Sequence, residues 1–207
     1  MIATNYFSTA RIAGILLLLG LLILLYGVGS IAAQGRLEGM AAGYRGVSFS
    51  TRDASGLRTI ARFAVPYLMA QLAGFALLKA GDKGTAVVAL VLFVFGTVLA
   101  VIEVSFHASV TVWAVRVARA GAAPEFYEPL RHWINYGLQR IYISFLLTAL
   151  LLFSWLGLHA KLLPSWLGWA ALAWSLLAFY LYFNVNGWPV VYIPTLLLLG
   201  VGLLWRG

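Results

Sequence analysis

The longest apolar run in this chain extends from Thr85 to Val115 and contains two ionisable residues, Glu103 and His107. A helix of this length measures about 46 Å, whereas the hydrocarbon core of a bilayer is about 30 Å thick. Residues four apart lie on the same helix face, one turn above the other. A carboxyl at membrane depth costs about 2.5–3.5 kcal/mol on insertion scales, so it requires a partner or a protein-lined site. The run therefore predicts a membrane helix with a candidate site at Glu103 and His107.

Composition places the whole chain in the membrane class. Of its 207 residues, 63% are hydrophobic and 10% are charged, whereas soluble domains are about half apolar and about a quarter charged. The absence of cysteine excludes disulfides, thiolate metal ligands and cysteine nucleophiles. The formal charge of +8 is typical of loops that face anionic lipid head groups. Because this charge lies in short loops and not in a basic domain, we expect no nucleic-acid partner.

The apolar runs predict an all-α, polytopic bundle with six transmembrane spans in one membrane domain, residues 1–207. We expect the first span to remain uncleaved, because its apolar core is at the long limit for a signal peptide. Breaks are expected where glycine, proline and polar residues cluster, near 80–84, 117–139, 160–164 and 184–189. The expected spans are 11–33, 63–79, 85–115, 140–159, 165–183 and 190–205, with an interfacial loop at 34–62.

The interfacial loop carries arginines interleaved with apolar residues. Arg52, Arg58 and Arg62 suit a segment that lies in the head-group region. We interpret them as contacts to lipid head groups, either for membrane anchoring or for gathering an anionic substrate. Membrane lipids are therefore the first expected partners, and the expected location is the plasma (inner) membrane, as a multi-pass protein.

Basic residues divide unequally between the two sides of this topology. The side with loops 34–62, 117–139 and 184–189 carries nine and the other side carries five. The positive-inside rule then places both termini outside the cytoplasm. The nine are Arg36, Arg45, Arg52, Arg58, Arg62, Arg116, Arg119, Arg131 and Arg140.

Two short motifs carry a resemblance. Thr9-Ala10-Arg11-Ile12-Ala13-Gly14 opens the first span, and Leu162-Leu163-Pro164-Ser165-Trp166-Leu167-Gly168-Trp169 opens the fifth. In these motifs the chain resembles a broad group of uncharacterised six-helix bacterial integral membrane proteins. The resemblance implies cytoplasmic termini, which is opposite to the charge count, and it transfers no activity and no functional residues.

A count of about nine residues inward from the basic side reaches a polar residue on each of the second to fifth spans. The functional interpretation is a buried cavity for a substrate, metal, haem or proton, with Glu103 as acid and His107 as base or orienter. The alternative is an interhelical hydrogen-bond cluster, in which each bond is worth about 0.6–2 kcal/mol. The other candidate ligand-binding residues are Gln71, Thr148, Ser175 and Tyr26.

Metal and haem sites lack ligands in this sequence. A metal site needs three or four, and Glu103 with His107 supplies two, with His132 as a third candidate in the following loop. Bis-histidine haem needs a second membrane histidine opposite His107, whereas His159 lies at the far end of its span. We therefore assign no metal ligand and leave the cofactor unknown.

Three functions fit these observations. The first is an accessory subunit of a membrane complex, or of a homo-oligomer, or a protein that binds a hydrophobic ligand at the buried Glu/His site. The second is a membrane-embedded enzyme that acts on a lipid-soluble substrate. The third is a small proton-coupled transporter. The sequence has no Gly-x-Ser-x-Gly elbow, and it leaves open whether the protein is an enzyme.

Overall fold

The chain folds into helices throughout the part that the structure describes. The computed structural model describes residues 10–23, 25–26, 82–106, 110, 113–114, 125–184 and 189–206. These residues are 93% helical and contain no strand, so the all-α prediction is confirmed for them. The helices are α1 (Ala10–Ile23), α2 (Lys83–Phe106), α3 (Tyr127–His132), a π-helix (Trp133–Leu138), α4 (Gln139–His159), α5 (Ser165–Asn184), a 3-10 turn (Pro189–Tyr192) and α6 (Ile193–Arg206).

Three helical stretches are long and apolar enough to cross a membrane: Lys83–Glu103, Pro129–His159 and Ser165–Asn184. The second of these runs without a break through α3, the π-helix and α4. By contrast, the 14 residues of α6 measure about 21 Å, which is less than the thickness of a bilayer core of about 30 Å. The predicted second span, 63–79, and the interfacial loop, 34–62, lie outside the described residues.

The prediction of a loop over 117–139 is wrong for its second half, which is helical from Tyr127 onward. Pro129 lies in the first turn of α3, where its missing N–H group costs nothing. Ile134 and Leu138 are buried against Phe106 of α2, and the Phe106 and Tyr127 rings stack with centroids 6.4 Å apart. Apolar packing on α2 therefore extends the helix beyond the point where composition predicts its start.

Helices α2 and α4 form the centre of the bundle and run antiparallel. Phe93 contacts Phe153 with ring centroids 6.3 Å apart. At Gly96 the helices approach closely, because a Cβ there would lie 2.9 Å from Leu146 Cγ and 3.1 Å from the Tyr142 carbonyl oxygen. This arrangement brings the end of α2 beside the beginning of α4.

The turn between α4 and α5 defines one end of the bundle, here called the Lys161 end. Residues 160–164 form this turn, which confirms the predicted break. Lys161 has a φ of 55°, and the Leu162 N–H donates to the Gly157 carbonyl at 2.9 Å. Leu163 is 1% exposed and fills the space beside Gly157 and Gly202, where a Cβ would lie 2.6 Å from its side chain. The turn is thus locked to both α4 and α6.

The beginning of α2 lies at the Lys161 end and is capped by Asp82. Its carboxylate accepts hydrogen bonds from Thr85 Oγ1 at 2.7 Å and from the Gly84 N–H at 3.1 Å. An acidic side chain in this position satisfies N–H groups that the helix itself leaves unpaired. Helix α2 therefore begins at Lys83, within the predicted break near 80–84.

Helix α1 packs on α6 through a pair of glycines. A Cβ on Gly14 would lie 2.8 Å from the Gly200 carbonyl oxygen and 3.0 Å from the Leu204 N. Small residues of this kind permit the close backbone approach that is typical of helix pairs in membranes. A Cβ on Gly200 would in turn lie 2.8 Å from Leu18 Cδ2, so α1 and α6 run antiparallel, with the beginning of α1 at the Lys161 end.

Candidate functional site

Glu103 lies on the face of α2 that packs against α4. Its side chain is 8% exposed and hydrogen bonds with the Tyr142 hydroxyl. A phenol donates to a carboxylate, which when ionised is an acceptor only. The carboxyl therefore points into the protein and not toward the outer surface of the bundle.

Of three buried tyrosines in this region, Tyr142 contacts the carboxyl directly. Tyr142 on α4 is 5% exposed, Tyr182 on α5 is 7% exposed and Tyr192 in the 3-10 turn is 5% exposed. Tyr182 lies within electrostatic range of Glu103, and Tyr192 lies within range of Tyr142. We call Glu103 and these three tyrosines the Glu103 site. It is assembled from four separate elements, so it exists only in the packed bundle.

A hydrogen-bonded chain connects the site to the beginning of α4. The Gln139 side chain bonds to the Tyr142 hydroxyl, which bonds in turn to Glu103. The π-helix Trp133–Leu138 immediately precedes Gln139, and such widened turns occur often at functional sites. A chain of polar side chains therefore runs from Gln139, beside the π-helix, through Tyr142 to the buried carboxyl of Glu103.

Tyr182 has charged groups of both signs in its wider surroundings. The phenol lies within electrostatic range of the Glu103 carboxyl and of the Arg140 guanidinium. Arg140 is exposed, whereas Glu103 is buried. In a medium of low dielectric constant such charges act over longer distances than in water. The buried carboxyl can accept a hydrogen bond from a donor group, whereas the Arg140 side chain lies on the outer surface.

The site lies near one end of the bundle, here called the Glu103 end, opposite the Lys161 end. Tyr142 is in the first turn of α4, Tyr182 is in the last turn of α5 and Tyr192 ends the 3-10 turn before α6. Thr148 is six residues further along α4 and therefore about 9 Å deeper. The hydroxyl of Thr148 and the carboxyl of Glu103 therefore lie at different levels of the bundle.

Thr148 and Ser175 have other hydrogen-bond partners. Thr148 donates to the Ser144 carbonyl of its own helix at 2.8 Å. Ser175 donates to the Ala171 carbonyl at 2.8 Å and lies 3.1 Å from the Thr195 hydroxyl. Because Ser175 and Thr195 are both 0% exposed, they form a buried polar contact between α5 and α6. The structure does not bring these two candidates to the carboxyl.

The remaining candidates are either on the surface or outside the described residues. Tyr26 is 71% exposed. The His132 and Tyr136 rings are tilted by 39° with centroids 4.6 Å apart, and His159 Nδ1 lies 3.1 Å from the Trp155 carbonyl. Among the described residues no three His, Cys, Asp or Glu side chains form a group able to hold a metal. The candidates outside the described residues are His107, Gln71, Arg52, Arg58 and Arg62.

Sequence reasoning missed the three tyrosines and Thr195. Tyr182 and Tyr192 are separated from Glu103 by long stretches of chain, and each stands in an apolar segment where tyrosine is also common at a membrane interface. One available signal was the position of Tyr142 and Tyr182 close to span ends on the side that also holds Glu103.

Comparison with known proteins adds no assignment, because the chain matches no family model, no curated protein and no solved structure.

Proposed function

We propose that this chain is a multi-pass protein of a bacterial inner membrane that binds a small amphiphile, with the polar group of the ligand at the Glu103 site. The observation that carries the proposal is a buried carboxyl that is hydrogen bonded to the Tyr142 phenol, with two further buried tyrosines, Tyr182 and Tyr192, in the same region of an apolar bundle. Ligand sites in helical bundles have this character: apolar walls and a few convergent polar groups. In the proposed topology the chain has six spans, including the segment 63–79.

The outward faces of the helices support the membrane part of the proposal. On α2 they consist of valine, phenylalanine and isoleucine, including Val91 at 45% and Phe95 at 58% exposed. Exposed apolar area on this scale marks membrane or protein contact. A lipid environment would cover this exposed apolar area without a partner protein. A role as an accessory subunit uses the same faces, but it gives no reason for the buried carboxyl.

Exposed aromatic residues mark two levels along the bundle. At the Lys161 end these are Trp155, Trp166, Trp169 and Trp205, and at the Glu103 end Trp133, Tyr136 and Tyr180. Along one continuous helix, Tyr136 and Trp155 are separated by about 29 Å at 1.5 Å per residue. This matches a hydrocarbon core of about 30 Å with an aromatic belt at each interface.

These levels also position the site. Tyr142 is six residues beyond Tyr136 on the same helix, so the carboxyl that Tyr142 contacts lies about 9 Å inside the aromatic level of the Glu103 end. A ligand whose polar group reaches this depth while its apolar tail lies in the bilayer would have both parts in suitable surroundings. A carboxyl that served only to join helices would be replaceable by apolar packing of equal or greater stability.

The test is ligand retention by the purified protein. The full chain is extracted in a mild detergent, and co-purifying small molecules are identified by native and denaturing mass spectrometry. Glu103→Gln keeps the side-chain volume and removes the charge, so we expect ligand occupancy to fall about tenfold or more, since hydrogen bonds to charged groups contribute about 1.5–3 kcal/mol.

Ser154→Ala is the matched control for this test. Ser154 is buried on α4 and donates to the Leu150 carbonyl of its own helix at 2.7 Å. It lies about 18 Å along the helix from Tyr142, so its loss should leave occupancy unchanged. Equal occupancy in the wild type and both variants, or no ligand in a folded wild type, would refute the proposed function.

A further inference from the structure

A π-helix joins α3 to α4 at the Glu103 end of the bundle. It spans Trp133–Leu138, and the Gln139 N–H group donates to the Ile134 carbonyl, five residues earlier. A π-helix has about 4.4 residues per turn, so each residue turns the chain by about 80°, compared with about 100° in an α-helix. This segment therefore holds more residues per turn than the helices on either side of it.

The π-helix aligns the buried side chains that precede it with those that follow it. Ile134 and Leu138 are buried against Phe106 of α2. Tyr142 bonds to Glu103, one turn before Phe106 on α2. Four residues of π-helix and four of α-helix depart from a full turn by about −40° and about +40°, so Ile134 and Tyr142 both face α2. In an unbroken α-helix the same two positions would be about 80° apart.

An apolar cluster, here called the Phe106 cluster, lies beyond the carboxyl toward the Glu103 end. Its buried members are Phe106, Ile134 and Leu138. Phe106 is one turn beyond Glu103 on α2, and its ring stacks on the Tyr127 ring of α3 with centroids 6.4 Å apart. A polar group that approaches the carboxyl from this end of the bundle therefore has to pass the Phe106 cluster.

Helix α3 is held less firmly than α4. Its region exposes Phe126 at 55%, Leu130 at 38% and Trp133 at 57%, whereas α4 has buried residues along most of its length. Segments with few buried apolar contacts open locally at a lower free energy than the core does. We therefore expect α3 to separate from α2 while α4 stays in place.

Rewinding of the π-helix to an α-helix provides a route for this separation. The Gln139 N–H group would exchange the Ile134 carbonyl for the Asn135 carbonyl, so the backbone hydrogen bond is replaced and not lost. The change would turn Ile134 by about 80° relative to Leu138 and away from Phe106. The main contact given up is apolar packing in the Phe106 cluster.

We propose that α3 is a lid over the Glu103 carboxyl and that the π-helix is its hinge. In the closed arrangement, which is the one observed, Ile134 and Tyr127 pack on Phe106. In the open arrangement these two side chains leave Phe106, whereas Leu138 remains with α4. The inference goes beyond the proposed function, because it concerns access to the carboxyl and depends on no particular ligand.

The experiment measures access to position 103 with and without the extra residue of the π-helix. The chain contains no cysteine, so a single substitution reports a single position. Glu103→Cys is prepared in the full-length chain and in the same chain lacking Asn135, both in lipid nanodiscs. With Asn135 deleted the segment can close as an α-helix, in which Ile134 and Leu138 are three residues apart and still face α2.

Labelling with a membrane-impermeant trimethylammonium-ethyl methanethiosulfonate is followed by mass spectrometry. We expect Glu103→Cys to be labelled in the chain of full length, because the lid opens. Deletion of Asn135 removes the residue that permits the second arrangement. It should slow the labelling at least about tenfold, since labelling of a buried group follows the population of the open form.

Two further cysteine variants separate lid opening from general unfolding. Lys161→Cys lies at an exposed position at the opposite end and should be labelled equally fast with and without Asn135. Ser154→Cys lies in α4 at a position that is 0% exposed and should remain unlabelled in both chains. Labelling at position 103 alone therefore reports the lid.

Hydrogen exchange of the unaltered protein supplies a measurement that does not require the deletion to fold. The backbone amides of residues 131–138 should exchange together, at least about tenfold faster than those of residues 146–156 in α4. Peptide mass spectrometry in the same nanodiscs resolves the two segments.

Three outcomes overturn the inference. Glu103→Cys that stays unlabelled in the chain of full length would show that the carboxyl is not reached from water. Equal labelling rates with and without Asn135, in folded proteins, would show that the π-helix is not the hinge. Exchange of residues 131–138 as slow as that of residues 146–156 would show that α3 does not open. None of these measurements involves a ligand, so the proposed function is decided separately by ligand retention.

Discussion

The free energy that the hydrogen bond between Tyr142 and Glu103 contributes shows how strongly this contact holds α2 and α4 together. Tyr142→Phe removes the hydroxyl and leaves the ring in place, so the buried carboxyl loses this donor. Hydrogen bonds to charged groups contribute about 1.5–3 kcal/mol in soluble proteins, and interhelical bonds in membranes average about 0.6 kcal/mol with a maximum near 1.7. Because Glu103 is 8% exposed, we expect a cost of about 1–2 kcal/mol in the free energy of unfolding.

A double-mutant cycle isolates that interaction. Glu103→Leu, Tyr142→Phe and the double variant are unfolded in detergent by increasing dodecyl sulfate, and tryptophan fluorescence reports the folded fraction. The coupling energy should be about 1 kcal/mol, whereas Glu103→Leu combined with Ser154→Ala should be additive within about 0.5 kcal/mol. Coupling below that limit in well-folded variants would contradict the hydrogen bond and the site built on it.

The remaining predictions concern packing, pH and sidedness. Gly14→Ala should destabilise the protein by about 1–3 kcal/mol, because the added Cβ would lie 2.8 Å from a backbone carbonyl oxygen of α6. Gly137→Ala is the control and should not destabilise the protein, because the nearest atom to its Cβ would be 3.5 Å away. Equal thermal midpoints of the two variants would contradict the contact between α1 and α6. Hydrogen bonds from the side chain of Thr85 and from the backbone of the first turn of α2 lower the pKa of Asp82. The stability difference between wild type and Asp82→Ala should therefore be fully present above about pH 5 and disappear as pH falls below about 4; a difference that does not change with pH would exclude the charged cap. Reporter fusions after Gly81 and after Gly187 should lie on opposite sides of the membrane, with the second cytoplasmic if the charge count governs and external if the family resemblance is the better guide.

The sequence by itself determined the helical class, the approximate helix bounds and the importance of Glu103. The length of each apolar run decides these features, because a chain in an apolar medium must pair its backbone N–H and C=O groups within each helix. The ends of α5 and the turn at 160–164 lie where glycine, proline and polar residues interrupt the apolar runs. The start of the helix that includes α4 was misplaced, because packing of Ile134 and Leu138 on Phe106 adds turns that local composition does not predict.

Only the tertiary structure decided which side chains meet. Helices that are apolar on all sides carry no periodic signal to mark the face that turns inward. The partner of Glu103 is therefore set by the close approach of α2 and α4 at Gly96, which brings the beginning of α4 to the carboxyl. The same packing directs Ser175 to Thr195 and gathers Tyr182 and Tyr192 near Tyr142 and Glu103. A polar residue in such a helix can be recognised from sequence, but its partners depend on where neighbouring helices touch.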